Sequence, residues 1–153
     1  SEEPAVEDPE VLDDYRPFDL TSQVFEDESA EIKDSSDFAL LGEAVLDQLR
    51  QDTGDDIIQF LVEDFLSELG KRLIALQEAA AAKDLGQVRH EAHTVKGSAA
   101  TFGALSLSQA AKETEYAATD ENQALAEERL KKLLVIAEET KVAFADWFKK
   151  NTA

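Results

Sequence analysis

Asp84 to Gly103 reads DLGQVRHEAHTVKGSAATFG, and the rest of the chain is interpreted outward from this stretch. Its apolar residues Leu85, Val88, Ala92, Val95, Ala99 and Phe102 recur every three or four positions, which is the period of a helix with one apolar stripe. At about 100° per residue, His93 lies roughly 140° from the middle of that stripe, close to Gly86, His90, Gly97 and Thr101. The stripe therefore faces a core, and His93 faces solvent or a partner. Asp84-x-x-Gln87 has the form of a capping box, and Gly103 suits the left-handed residue that closes a helix. Gly97 inside the helix costs on the order of 1 kcal/mol relative to alanine, and its missing side chain clears a path to the imidazole one turn away. Lys96, three residues after His93, is near enough for its ammonium to reach an anion held on the ring. A cation beside a nucleophile suits phosphate.

The flanking pattern is helical on both sides. From Asp37 the residues Leu40, Leu41, Val45, Leu46 and Leu49 predict a short first helix that stops at Asp52-Thr53-Gly54. The next runs from about Asp55 to Lys83 on Ile58, Leu61, Phe65, Leu69, Leu73 and Leu76, with Gly70 read as a point of close approach by a neighbouring helix. After the His93 helix, Ser106-x-x-Gln109 predicts a capped helix whose inner face is Leu107, Ala110, Ala111, Thr114, Ala117 and Ala118. Asp120-x-x-Gln123 repeats the signal for a last helix buried along Ala126, Leu130, Leu133, Leu134, Ala137, Phe144, Trp147 and Phe148. Short links between four substantial helices predict an all-α fold: an antiparallel up-down-up-down four-helix bundle with an additional short N-terminal helix.

Residues 1–36 read differently. They hold all three prolines, and residues 1–37 carry 14 of the 34 Asp and Glu against only Arg16 and Lys33. We read 1–36 as an acidic, largely irregular arm and 37–153 as the helical domain. Tyr15, Phe18, Leu20, Val24 and Phe25 are unusual for a solvated linker, which leaves open a docking of part of the arm on the bundle. The net charge of −19 repels phosphate backbones and anionic lipid, so nucleic acid and membrane surfaces are excluded and protein partners remain. With no Cys there is neither a disulfide nor a thiolate metal site, and no apolar run reaches the roughly 18 residues of a membrane span. A chain that starts at Ser1 and contains no Met is expected to be a processed product or a piece of a longer protein.

Ala92-His93-Thr94-Val95-Lys96-Gly97-Ser98, followed by Phe102-Gly103-Ala104, resembles the signature of the histidine-containing phosphotransfer (HPt) domains of phosphorelays. The resemblance extends over about residues 38–150, through the preceding helix, the short Lys83-Asp84 link and the following Ala-rich helix. It implies that His93 carries the phosphoryl group, that receiver domains are the partners, with a histidine kinase as a further one, and that the chain works as a cytoplasmic monomer. It also implies that Mg2+ sits on the receiver, with no cofactor and no metal site in this chain. Lys96 would stabilise the phosphoryl oxygens, and Gly97, Ala100, Thr101, Arg89 and His90 would form the docking face.

Glu115 lies 22 positions after His93, about 100° off the apolar centre of the next helix, where it can sit at the seam beside the imidazole. The family often has Gln or Glu there, and the Glu form resembles the phosphotransfer domains of chemotaxis-type kinases. A carboxylate on one ring nitrogen would fix the tautomer and expose the other. Two alternatives to the carrier therefore stand: the phosphoryl-acceptor domain of such a kinase, and a helical docking or scaffold module that is never phosphorylated. Enzyme readings fail on spacing. In His90-Glu91-Ala92-His93 the histidines are three apart, whereas a zinc-protease helix needs four, and no Gly-rich nucleotide loop is present.

Overall fold

The computed structural model describes residues 34–151. Regular structure among them is entirely helical: a 3-10 turn at Ser35–Asp37, then α1 (Glu43–Thr53), α2 (Asp55–Ala81), α3 (Leu85–Thr101), α4 (Leu105–Thr119) and α5 (Gln123–Asn151). Helices α2 to α5 each pack on the next, and α5 packs back on α2, so the four close a ring around one core. Helix α1 leans on α2, and the 3-10 turn lies on α4. Val88, Ala92, Val95 and Ala99, the stripe of α3, are buried with Ile58, Val62, Leu107, Ala111, Leu133 and Phe144. Phe65 ties three elements together: its ring stacks on Phe102 at 4.9 Å and meets the edge of Phe144 at 6.2 Å. The small residues along α4 let α3 come close, and α3 with α4 makes the most extensive helix pair among the described residues.

Local chemistry sets the helix ends. The Asp84 carboxylate accepts the Gln87 amide at 3.1 Å and starts α3, while the Gln87 side chain turns to Glu91 instead of closing the box. Gly103, with φ +72°, ends it. A side chain there would press on the Gly42 carbonyl and on Val45, so glycine is required twice over.

Several expectations are corrected. The first helix begins at Glu43 rather than Asp37, because the backbone before it is spent on other elements. The Gly42 amide donates to the Gly103 carbonyl at 2.6 Å, and the Ala39 carbonyl accepts from the Ser106 amide at 3.0 Å. The boundary drawn at 36 also moves, since Asp34–Ser36 belong to the folded unit and Ser35 is wholly buried. The rest of the arm, with Tyr15, Phe18, Leu20, Val24 and Phe25, lies outside the described residues. Ser106 does not cap α4, which starts at Leu105 after an uncapped Ala104; its hydroxyl donates instead to the Ser35 carbonyl at 2.8 Å. Asp120 does not cap α5 either, since Asn122 accepts the Leu125 amide there at 3.0 Å. Gly70 faces open space, and a Cβ would meet nothing within 4 Å, so no helix approaches it. No helix among the described residues is long and apolar enough to cross a membrane.

Candidate functional site

The α3–α4 seam brings together the candidates His93, Lys96 and Glu115. Glu115 is one of the few charged groups buried in the bundle, its side chain only 10% exposed. Burying a carboxylate is costly unless it is paired, and here both of its oxygens have cationic or ring-nitrogen neighbours. Oε2 lies 3.0 Å from His93 Nδ1. Oε1 lies 3.1 Å from Lys96 Nζ, an ion-pair contact that lacks the alignment of a hydrogen bond. The three side chains meet because His93 and Lys96 are three apart on one edge of α3, and the next helix brings Glu115 to the same height. A second rung lies further along the seam, where the Ser108 hydroxyl donates to the Lys96 carbonyl at 2.9 Å.

This contact fixes the state of the imidazole. In the neutral ring, the nitrogen facing a carboxylate keeps the proton, so Nδ1–H donates to Glu115 and the lone pair resides on Nε2. The outward face predicted for His93 is narrower than the helical wheel implies, since the His93 and Lys96 side chains are each only 16% exposed.

The remaining sequence candidates lie along α3. Gly97 and Ala100 are half-buried, and Thr101 is exposed with its hydroxyl donating to the Gly97 carbonyl at 3.1 Å. His90 is exposed and Arg89 half-buried, one turn before His93. Among the described residues no group of three or more His, Asp or Glu side chains is placed to hold a metal ion.

Sequence reasoning missed how α3 is held on its other flank. Glu91, 8% exposed, receives Arg72 Nη1 of α2 at 3.1 Å and the Gln87 amide group at 2.7 Å. The Gln87–Glu91 spacing of one helical turn is visible in the sequence, but its partner Arg72 is not. Beside this pair, Phe65, Leu69, Arg72, Thr94 and Ser98 line a shallow cleft between α2 and α3. Helix α3 is thus fixed by a charged contact on each side, and its rotation is set from both.

The Hpt domain family model matches residues 61–141, which take in α3, α4 and the greater part of α2 and α5. No curated protein matches the chain. Among solved structures it is similar to histidine-containing phosphotransfer protein B (HptB) from Pseudomonas aeruginosa PAO1, with a TM-score of 0.68 and 25% identity over 72% of this chain and 96% of that one. With more than half of its length matched by that model, and His93 on the helix at the centre of the match, the chain belongs to the Hpt domain family, whose role is histidine phosphotransfer in phosphorelays.

Proposed function

We propose that His93 takes the phosphoryl group from the aspartyl phosphate of one receiver domain and hands it to the aspartate of another. The observation that carries this reading is the shared carboxylate: Glu115 holds Nδ1 of His93 and the ammonium of Lys96 on its two oxygens. Nε2 then attacks the phosphorus in line with the leaving carboxylate. Charge in the loose transition state spreads over the phosphoryl oxygens, so positioning and a nearby cation supply most of what this chain contributes. Lys96 is that cation, and Gly97, Ala100 and Thr101 keep the approach low. Arg89 and His90 border the surface on which the receiver rests, and Mg2+ belongs to the receiver. The bundle that presents the imidazole is, on this reading, antiparallel and works as a monomer.

The test is transfer from a phosphorylated receiver domain to this chain and to its His93→Gln variant. Acid-labile, base-stable phosphate on the parent and none on the variant is the expected result. Label that persists on the variant would overturn the assignment. The carboxylate at 115 also favours a second reading, the acceptor domain of a chemotaxis-type kinase. Labelling by ATP with a histidine kinase catalytic domain, and none from receivers, would select it. Failure of both would leave a docking module that is never phosphorylated.

A further inference from the structure

Among the described residues the two buried carboxylates are Glu91 and Glu115, and each ties α3 to a neighbour: Glu91 to α2 through Arg72, and Glu115 to His93 from α4. Glu91 and His93 are two residues apart, roughly 200° around the helix, so the two ties grip nearly opposite flanks of the same turn. Glu91 stands at the edge of the buried stripe, beside Val88 and Val95 on the preceding and following turns. Arg72 Nη1 lies 3.1 Å from its Oε1, and the Gln87 side chain donates to its Oε2 at 2.7 Å, so both oxygens are engaged.

Stability alone does not call for a carboxylate at this position. The desolvation of a buried ion pair offsets most of its attraction, and an apolar pair of similar volume often leaves a protein as stable or more so. What an apolar pair does not supply is direction, since apolar contact is non-directional and a core that keeps its volume loses uniqueness before it loses stability. Direction matters at this turn. Side chains reach roughly 5–6 Å from a helix axis, so a roll of about 10° carries a tip through about 1 Å. A shift of that size away from Glu115 would stretch the 3.0 Å contact of His93 Nδ1 beyond hydrogen-bond range.

Building on the assignment of His93 as acceptor, we propose that Arg72 is a positioning residue of the transfer, acting through Glu91. The pair fixes the roll of α3, the roll keeps Nδ1 of His93 on Glu115, and Nε2 thereby keeps its lone pair on the attacking side. Arg72 binds no phosphoryl oxygen and moves no proton. Its contribution is complete once the chain has folded, before any receiver arrives.

The experiment compares the full chain with the double variant Arg72→Met, Glu91→Leu, which replaces the ion pair by apolar side chains of similar size, and with Arg72→Lys, which keeps a cation for Glu91. Transfer from a receiver domain charged by acetyl phosphate is followed over a range of receiver concentrations, beside urea denaturation and the ring 15N shifts of His93. The double variant is expected to unfold at the parent's urea concentration or a higher one. Its half-saturating receiver concentration should be unchanged, and its rate at saturation about 3- to 30-fold lower, a smaller loss than removal of the orienting carboxylate itself. Its ring 15N shifts should move towards the average of the two tautomers, which a purely structural role would not produce. Arg72→Lys should retain most of the parent's rate and its 15N shifts. A double variant with the parent's saturating rate and 15N shifts would overturn the proposal and leave the His93 reading standing. So would a raised half-saturating concentration at an unchanged saturating rate, which would make Arg72 part of the docking surface. A double variant less stable than the parent would also overturn it, because the pair would then hold the fold and not the roll. Arg72→Lys as slow as the double variant would remove the charge pairing as the cause. A parent chain that takes no label, or a His93→Gln variant that does, would overturn the His93 reading and this proposal together.

Discussion

Glu113 and Glu115 stand two residues apart on α4, roughly 200° around the helix from each other, and so face opposite seams. Glu115 looks to α3 and holds His93 and Lys96. Glu113 looks to the 3-10 turn and to α5: it accepts the Ser35 amide at 3.0 Å, has the Gln109 side chain at 3.4 Å, and lies 3.8 Å from Lys132. Lys132 also pairs with Asp34. Each site is a carboxylate with a lysine and an N–H donor. The difference lies in the donor, because a backbone amide has no second nitrogen that can react and an imidazole has one. Similar electrostatics thus build a clasp on one side of α4 and a candidate reaction centre on the other.

That contrast can be broken by exchanging damage between the two sides. Glu115→Ala should slow phosphoryl transfer about 10- to 100-fold, the usual cost of losing a group that orients a reacting imidazole. Glu115→Gln should recover most of the rate, since its carbonyl still accepts the Nδ1 proton. Transfer kinetics and the 15N shifts of the ring check both variants; equal losses in Ala and Gln would remove the orienting role. Glu113→Ala should leave the transfer rate alone and cost about 1–3 kcal/mol of stability, because the buried Ser35 amide loses its acceptor. Urea denaturation measures it, and a large rate loss at unchanged stability would erase the distinction between the seams. Ser106→Ala should cost about 1 kcal/mol through the Ser35 carbonyl, again without touching transfer.

Two smaller effects sharpen the comparison. Gly70→Ala touches neither seam and fills open space on α2, so it should raise stability by about 0.5–1 kcal/mol at unchanged transfer rate. Asp34→Asn should be the weakest, within about 1 kcal/mol, since the pair with Lys132 is partly exposed. Its pH dependence is more telling than its size. The hydrogen bond from Lys132, helped by the Ser36 amide, holds the Asp34 carboxyl well below the usual carboxylate range. A depressed folded pKa contributes stability above the unfolded value near 4 and loses it as pH falls below that. The gap between parent and Asp34→Asn should therefore be constant at neutral pH and close as the solution is acidified below about pH 4. Melting curves across that range give the sign.

The clasp and the candidate reaction centre were unequally legible in the sequence, and the reason is distance along the chain. The stripe of α3, the Asp84 cap and the left-handed Gly103 are local, and periodicity with turn chemistry is enough to read them. Glu115 sits only one helix beyond His93, so its position at the seam followed from helical geometry; that its two oxygens would be divided between His93 and Lys96 did not. The clasp joins Asp34 to Lys132 across 98 positions, Ser35 to Glu113 across 78, and Ser106 to the Ser35 carbonyl across 71. Nothing in a window of ordinary length marks such pairs. Ser106 and Asp120 were misread for a related reason: each fits the local form of a helix cap, but Ser106 has a distant partner and Asn122 already caps α5. Gly70 shows the converse, a glycine whose neighbours impose nothing on it.

Helix α3 is gripped on both flanks, by Arg72 on Glu91 and by Glu115 on His93. The imidazole is consequently presented already aimed, its conformational freedom surrendered when the protein folds and not when a partner arrives. A receiver that meets it loses little to ordering and needs little contact area to do so. Such an encounter can be brief. On the proposed reading, in which a phosphoryl group is received from one protein and surrendered to another, quick release is as necessary as correct aim, and a stiff target supplies both.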